Sequence, residues 1–404
     1  MKRIYFSWDK YSDQPHILKK EQKKELRKTR KKDFLTLILT NLLYFPYLFG
    51  KFLIKNILLS KLIFRFRVKH GMTQVHHSKL DIRNSKLDVC HSELDVCHSE
   101  VDVCHSELDS ESMLSNISTK NPFYGLCVNL DKGDIQYDLI KELGVKSLQI
   151  RVFLNDIKNI DKYVDFVKGF GDDSEILITI IQDREHIEDK ALLQKDIITI
   201  FTKFKDITDE FQIGNAINRI KWGFVSIEEY LDFYQTIQEI RDLKFKDIQL
   251  IGSSVIDFEY HFTIRTLFNN HKIYYDKVSS LLYVDRRGSP FNTQYYIFNL
   301  KNKIEFLDII VKSSNKCDNQ IYITETNWPI SGTAPYAPTS EKECVSYEDY
   351  SKYMVEYFDI AQKSNKISKV FWHQLIAGGY GLVDNRDDKM VKTEAFYRFK
   401  ELLK

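Results

Sequence analysis

From Asn121 to the C-terminus, short apolar runs rich in β-branched and aromatic residues alternate with longer stretches of helical periodicity. This alternation repeats eight times, and few folds accept it. A short run that is apolar on both faces reads as a strand of a parallel sheet, covered on each side. The helical stretches between the runs supply the crossovers that parallel strands require. The strands read at Tyr124–Leu130, Ser147–Phe153, Glu175–Gln182, Glu210–Asn215, Ile248–Val255, Val278–Val284, Gln320–Thr326 and Lys369–Leu375. Helices follow near Tyr137–Leu143, Ile160–Phe170, Lys190–Phe204, Ile227–Leu243, Tyr260–Asn270, Thr293–Ser313, Tyr347–Ser364 and Thr393–Leu403. Eight such units within residues 121–404 predict an α/β fold, a closed (β/α)8 barrel of ordinary size. A doubly wound sheet would need a glycine-rich first turn, and the first turn here reads NLDKGDIQYD, without G-x-G-x-x-G.

Three segments precede the barrel. Residues 1–33 are polar and basic, with twelve Lys and Arg against five acids and the run KKEQKKELRKTRKK at Lys19–Lys32. Residues 34–72 are apolar and aromatic and read as helices. Pro46 and Gly50 interrupt the first run before Lys51, short of the roughly 20 residues of a full span. The second run carries Lys51, Lys55 and Lys61 and is amphipathic. Residues 19–68 are therefore expected to meet a membrane surface, lying in the interface or crossing it, or else to pack as a helix pair on their own domain. The positive-inside tendency would keep the N-terminus cytoplasmic: a span would then export the barrel, and an interfacial helix would not. Residues 73–120 hold the heptapeptide series HSKLDIR, NSKLDVC, HSELDVC, HSEVDVC, HSELDSE from His77 to Glu111. It resembles translated palindromic DNA elements of bacterial genomes and reads as a low-complexity, disordered linker. Its Cys-His pairs recur singly and do not make a zinc-type spacing. The other three of the six cysteines, Cys127, Cys317 and Cys344, are far apart, so no disulfide framework is inferred. A net charge of +2 gives no electrostatic case for nucleic acid. No H-E-x-x-H, Walker loop or dinucleotide fingerprint appears, so neither metal nor cofactor is expected.

The chemistry of such a barrel sits where its strands end. Polar and aromatic residues crowd four of those ends: GNAINRIKWG at Gly214–Gly223, LLYVDRRGSP at Leu281–Pro290, ITETNWP at Ile323–Pro329, and FWHQLIAGGYGLVD at Phe371–Asp384. The Thr-Glu-Thr-Asn-Trp-Pro of strand 7, taken with the Trp-His-Gln of strand 8, resembles the large clan of retaining glycoside hydrolases built on (β/α)8 barrels. The resemblance covers the barrel. It implies that Glu325 is the nucleophile or base, that Trp372 stacks under a sugar, that Arg151 on strand 2 steadies the nucleophile, and that Asn215 is the first member of an Asn-Glu pair. More narrowly, GNAINRIKWG, LYVDRRG, TETNWP and GGYGLVD resemble bacterial glycosidase-like proteins of cell-surface polysaccharide or lipopolysaccharide loci.

One departure bears on everything else. Where the clan has the acid/base Glu, this chain has Ala216. Retaining hydrolysis uses two carboxyls about 5–5.5 Å apart and inverting hydrolysis two at about 6.5–9.5 Å. A second acid must come from elsewhere, with Asp285 and Glu259 as first candidates and Asp257 and Asp183 behind them, or the barrel binds glycans without cleaving them. A membrane-tethered assembly factor is a third reading. Trp222 and Trp328 join Trp372 as stacking candidates. Tyr283 and His373 are placed to hydrogen-bond Glu325, and Asn218 and Gln374 to line the site. Arg219, Lys221, Arg286 and Arg287 would suit an anionic oligo- or polysaccharide, or would tie loops to nearby acids.

Overall fold

The computed structural model describes residues 33–69, 122–386 and 389–404, together with the dipeptides Ser7–Trp8 and Pro15–His16, which pair with each other. The basic run and the heptapeptide series lie outside the described residues. The barrel and the chain up to Ile54 belong to one compact unit, and Lys55–Thr119 to a second.

Eight parallel strands close in chain order: β1 Tyr124–Val128, β2 Ser147–Phe153, β3 Glu175–Ile181, β4 Glu210–Ile213, β5 Gln249–Ile256, β6 Lys277–Leu281, β7 Ile321–Thr326 and β8 Lys369–Trp372. β8 returns to β1 through Val370–Tyr124, Phe371–Gly125 and Trp372–Leu126. The helices α1 Ile135–Leu143, α2 Ile160–Lys168, α3 Lys190–Phe204, α4 Ile227–Lys244, α5 Tyr260–Leu267, α6 Leu300–Lys312, α7 Tyr347–Lys363 and α8 Glu394–Leu402 follow their strands. Several starts are written in the sequence. The side chains of Asp189, Ser226, Asn299 and Ser346 each accept the backbone N–H three residues on, at the head of α3, α4, α6 and α7. Asn299 also explains a correction. The helix expected from Thr293 begins only at Leu300, because Tyr295 and Tyr296 take left-handed angles (φ 52° and 67°) that a helix excludes.

The main core lies between strands and helices. A separate cluster of Leu177, Ile251, Tyr322 and Phe371, drawn from four strands, fills the lumen. Gly125 is required there: a Cβ on it would sit 2.4 Å from the Phe371 ring. Below, Glu210 accepts from Lys277 at 2.7 Å and from the Tyr322 hydroxyl at 2.9 Å, closing the floor.

Before the barrel, the apolar segment forms one helical run. Asp33–Leu39 passes through a π-helical turn, Thr40–Tyr44, into Phe45–Lys69. Pro46 was expected to interrupt this run and does not. The Phe45 N–H reaches back five residues to the Thr40 carbonyl. The ladder slips by one residue just ahead of the proline, which has no N–H to give. Phe45, Leu48, Phe49 and Phe52, at helical spacing, turn toward the barrel. Phe45 stacks on Tyr260 of α5 at 4.5 Å between centroids, and Phe52 meets Phe298 at 5.4 Å and Phe306 of α6 at 5.8 Å. The Lys51 ammonium donates to the Ser313 hydroxyl at 3.0 Å.

Candidate active site

Two irregularities in the sheet decide what faces the mouth. Tyr322 on β7 points into the lumen, so strict alternation would aim Glu325 outward. Instead the register against β8 shifts between Ile323–Val370 and Thr326–Trp372: three steps on β7 oppose two on β8. This bulge resets the phase. Glu325 turns into the barrel mouth, and Thr326 is buried behind it, outside the cavity lining. A second bulge, on β5, leaves Ser254 (φ 58°) unpaired between Ser253–Ser279 and Val255–Ser280. It delivers Ile256 and Asp257 to the same opening.

The opening is a cavity of about 360 Å³. Glu325 is buried and accepts one hydrogen bond on Oε1, from the Tyr283 hydroxyl at 2.7 Å. Its other oxygen has no protein partner among the described residues and lines the cavity. Burial, reinforced by the Glu325 charge, pushes the Tyr283 phenol well above its ordinary value. The phenol therefore stays protonated and acts only as a donor. The Arg287 guanidinium lies over the Tyr283 ring, 3.3 Å from its centroid, and bonds Asp257 at 3.2 Å. Arg219 forks between Asp257 and Glu259, both at 2.5 Å. Asp257 is thus the second carboxylate of the cavity, and its oxygens are committed to two guanidiniums.

The strand-4 loop forms the opposite wall. Gln182 braces it by accepting from the Asn215 N–H at 2.9 Å and donating to the Asn215 carbonyl at 2.8 Å. That bracing leaves the Asn215 amide facing the cavity without a partner among the described residues. Ala216 is fully buried with a left-handed backbone (φ 46°) and also lines the cavity. Trp222 and Lys221 complete this wall. Their loop is held by Arg184, which donates to the Gly223 carbonyl at 3.1 Å and grips Glu229 through two bonds at 2.8 and 2.9 Å. His373 lines the far side with Tyr380 stacked beside it.

The other expected residues fall elsewhere. Trp372 and Trp328 are fully buried and stack on each other at 5.8 Å. Trp372 donates to the Tyr350 hydroxyl, Trp328 to the Gly288 carbonyl at 2.8 Å, and neither lines the cavity. The reason is phase: Phe371 fills the lumen, so its neighbour Trp372 faces the helix shell. Glu259, Asp285 and Arg286 line an adjoining cavity of about 280 Å³, which shares Arg219, Asp257, Tyr283 and Arg287 as its wall. The Asn218 amide ties Glu259 to the end of β5, donating to Glu259 and to the Ile256 carbonyl, both at 2.9 Å. Arg151 is buried on β2 and donates to Asn129 at 3.1 Å. Gln374 is buried beside His373. Asp183 and Asp196 flank the buried His186 at 2.7 and 3.0 Å, outside the cavity. Burial alone would lower the His186 pKa, but the two carboxylates outweigh it and raise it. The loop after Trp328 contributes wall through Pro338 and Thr339. Asn327 and Tyr380, which lie within the strand-end motifs but were not singled out individually, also line the cavity. Among the described residues no group of three or more His, Cys, Asp or Glu could hold a metal ion.

Comparison with protein-family models and with curated proteins finds no match. Solved structures do match, and they share the fold. A β-glucosidase from Thermotoga maritima in complex with castanospermine superposes with TM-score 0.51 at 10% identity, over 71% of this chain and 98% of that one. A monomeric β-xylosidase from Caulobacter crescentus CB15 gives 0.51 at 12%, over 70% and 68%. A GH1 β-glucosidase from Exiguobacterium antarcticum B7 gives 0.51 at 8%, over 69% and 96%. The fold neighbours are thus glycoside hydrolases, and the barrel is of the (β/α)8 type.

Proposed function

We propose that this protein acts on a glycosidic bond of a bacterial cell-surface saccharide, with Glu325 as nucleophile or base. The observation that carries the reading is the placement of Glu325: buried, turned inward by a bulge, held by one phenol donor, and open on its second oxygen to a cavity with Trp222, Asn215 and His373 around it. A Tyr hydroxyl on one oxygen fixes the carboxylate without neutralising it. The free oxygen can then attack an anomeric carbon, forming the glycosyl ester while the C–O bond to the leaving group breaks and that oxygen takes the electron pair.

The leaving oxygen must then be protonated or be stable as an anion. Asp257 is the other cavity carboxylate, and it can donate a proton only by giving up guanidinium bonds. Substrates with acidic leaving groups are therefore favoured. General acid help is worth about 10²–10⁴-fold where it exists, so its lack makes rate depend steeply on leaving-group acidity. The test is a series of aryl glycosides with phenols of graded acidity. The expected result is faster turnover with more acidic phenols, abolished in Glu325→Gln. Turnover that survives Glu325→Gln would overturn the assignment.

Ala216 favours a second reading, a glycan-binding barrel that does not cleave. It stands where the fold's acid would be, buried in the cavity wall. Saturable glycan binding with no cleavage of any aryl glycoside would establish that reading in place of the first. A preference for anionic glycans rests on Lys221, Arg219 and Arg287 at the rim, although both arginines already grip acids. Equal binding of neutral and uronate-bearing oligosaccharides would remove it.

A further inference from the structure

The helix Thr36–Ile57 is long and apolar enough to cross a membrane. Its packing argues for a different arrangement. One side, through Phe45, Leu48, Phe49 and Phe52, is bound to α5 and α6. Tyr44 meets Phe268 at the far end of α5 while Phe45 meets Tyr260 at its start, and Lys51 reaches Ser313 just beyond α6. The helix therefore lies across α5 and α6. A segment so held cannot enter a bilayer lengthwise without drawing charged barrel helices into the hydrocarbon. Yet its other side is also largely apolar, with Asn41, Lys51, Lys55 and Asn56 the polar exceptions. Leu42, Leu43, Tyr47, Leu53 and Ile54 are exposed, with Leu42 at 68%. A helix with large apolar residues on both sides needs an apolar neighbour on each.

The loop beside which this helix packs carries further exposed aromatics. Phe298, against which Phe49 and Phe52 pack, closes a small loop whose Phe291, Tyr295 and Tyr296 are exposed, Tyr296 at 96%. Tyr295 also lines the cavity beside the candidate active site. The chain just ahead of the helix, Lys19–Lys32, carries nine Lys and Arg against two acids. Such a run complements anionic headgroups, and tyrosines belong at the headgroup level.

We propose that the outer face of the helix over residues 36–54 and the aromatic loop around Tyr295 and Tyr296 together seat the barrel on an anionic bilayer. The helix lies in the interfacial plane and the barrel mouth opens at the membrane edge. The docking stands independently of the chemistry at Glu325. Combined with the proposed function, it has the saccharide presented from the membrane surface.

The test is co-sedimentation of the full chain with vesicles of phosphatidylcholine alone or mixed with phosphatidylglycerol. The expected result is binding to the anionic vesicles, weakened by salt and reversed by alkaline carbonate. The paired change Leu42→Glu/Leu43→Glu should lower vesicle affinity by about tenfold or more. Tyr296→Ser touches nothing in the fold and should lower it by about threefold. Glu325→Gln should bind vesicles like the parent chain, which separates failure of docking from failure of the active-site assignment. Three results would overturn the proposal. They are a protein that ignores both vesicles, one that resists carbonate as a true span does, and a dimer in sedimentation that Leu42→Glu/Leu43→Glu splits without any vesicle binding.

Discussion

Replacing Tyr283 by Phe isolates the hydrogen bond that its hydroxyl donates to the Glu325 carboxylate. The ring stays, so its place in the buried cluster with Leu281 and Trp222 and the Arg287 contact are kept. Only the hydroxyl goes, and with it the 2.7 Å bond to Oε1. Hydrogen bonds to charged groups contribute about 1.5–3 kcal/mol when both partners are buried, as these are. Tyr283→Phe should therefore destabilise the barrel by about 2 kcal/mol, seen in urea as a lower midpoint with an unchanged slope. The double variant Tyr283→Phe/Glu325→Gln gives the coupling, which should be most of that figure. If turnover is found with aryl glycosides, the same loss should appear in kcat/KM as about 10–100-fold, because each factor of ten is about 1.4 kcal/mol. A Tyr283→Phe protein within about 0.5 kcal/mol of the parent and additive with Glu325→Gln would refute the idea that the phenol holds the carboxylate.

Gly125→Ala should cost about 1–3 kcal/mol by pushing Phe371 off its place in the lumen, and Phe371→Leu should recover most of it in the same urea titration. Trp222→Ala should weaken saccharide binding in calorimetry, whereas Trp372→Phe should leave binding unchanged and lower the melting temperature, since Trp372 is packed behind the site. Burial holds the Lys303 ammonium down at about 8, against an ordinary 10.5. Between those values the unfolded chain carries a proton that the folded one has lost, so stability should rise as pH climbs through about 8 to 10.5. Lys303→Met should be more stable than the parent at neutral pH and should lack that component of the rise in thermal melts.

The strand bodies were legible because a segment covered on both faces leaves a continuous apolar signature. Ser147–Phe153 shows it fully buried along its length. The strand ends were not, because pairing there is set by register. β4 stops at Ile213 and β8 at Trp372, short of the expected ends at Asn215 and Leu375. Glu325 was found through its motif, and nothing in ITETNWP marks the bulge that turns it inward. The tryptophans show the opposite case. Trp372 sits one residue past a lumen side chain, and only the phase of β8 could say that it faces the helices. Asp257 took its place in the cavity because of a bulge at Ser254, which no local sequence pattern announces. The loop at Tyr295 was hidden under a helical pattern that the Asn299 cap truncates.

The packed lumen and its Glu210–Lys277–Tyr322 floor make the barrel a blind vessel. Among the described residues no passage runs through the lumen, so a molecule seated in the mouth must leave on the side by which it entered. A polymer cannot be threaded through the middle, and anything lodged in that mouth competes directly with every visitor.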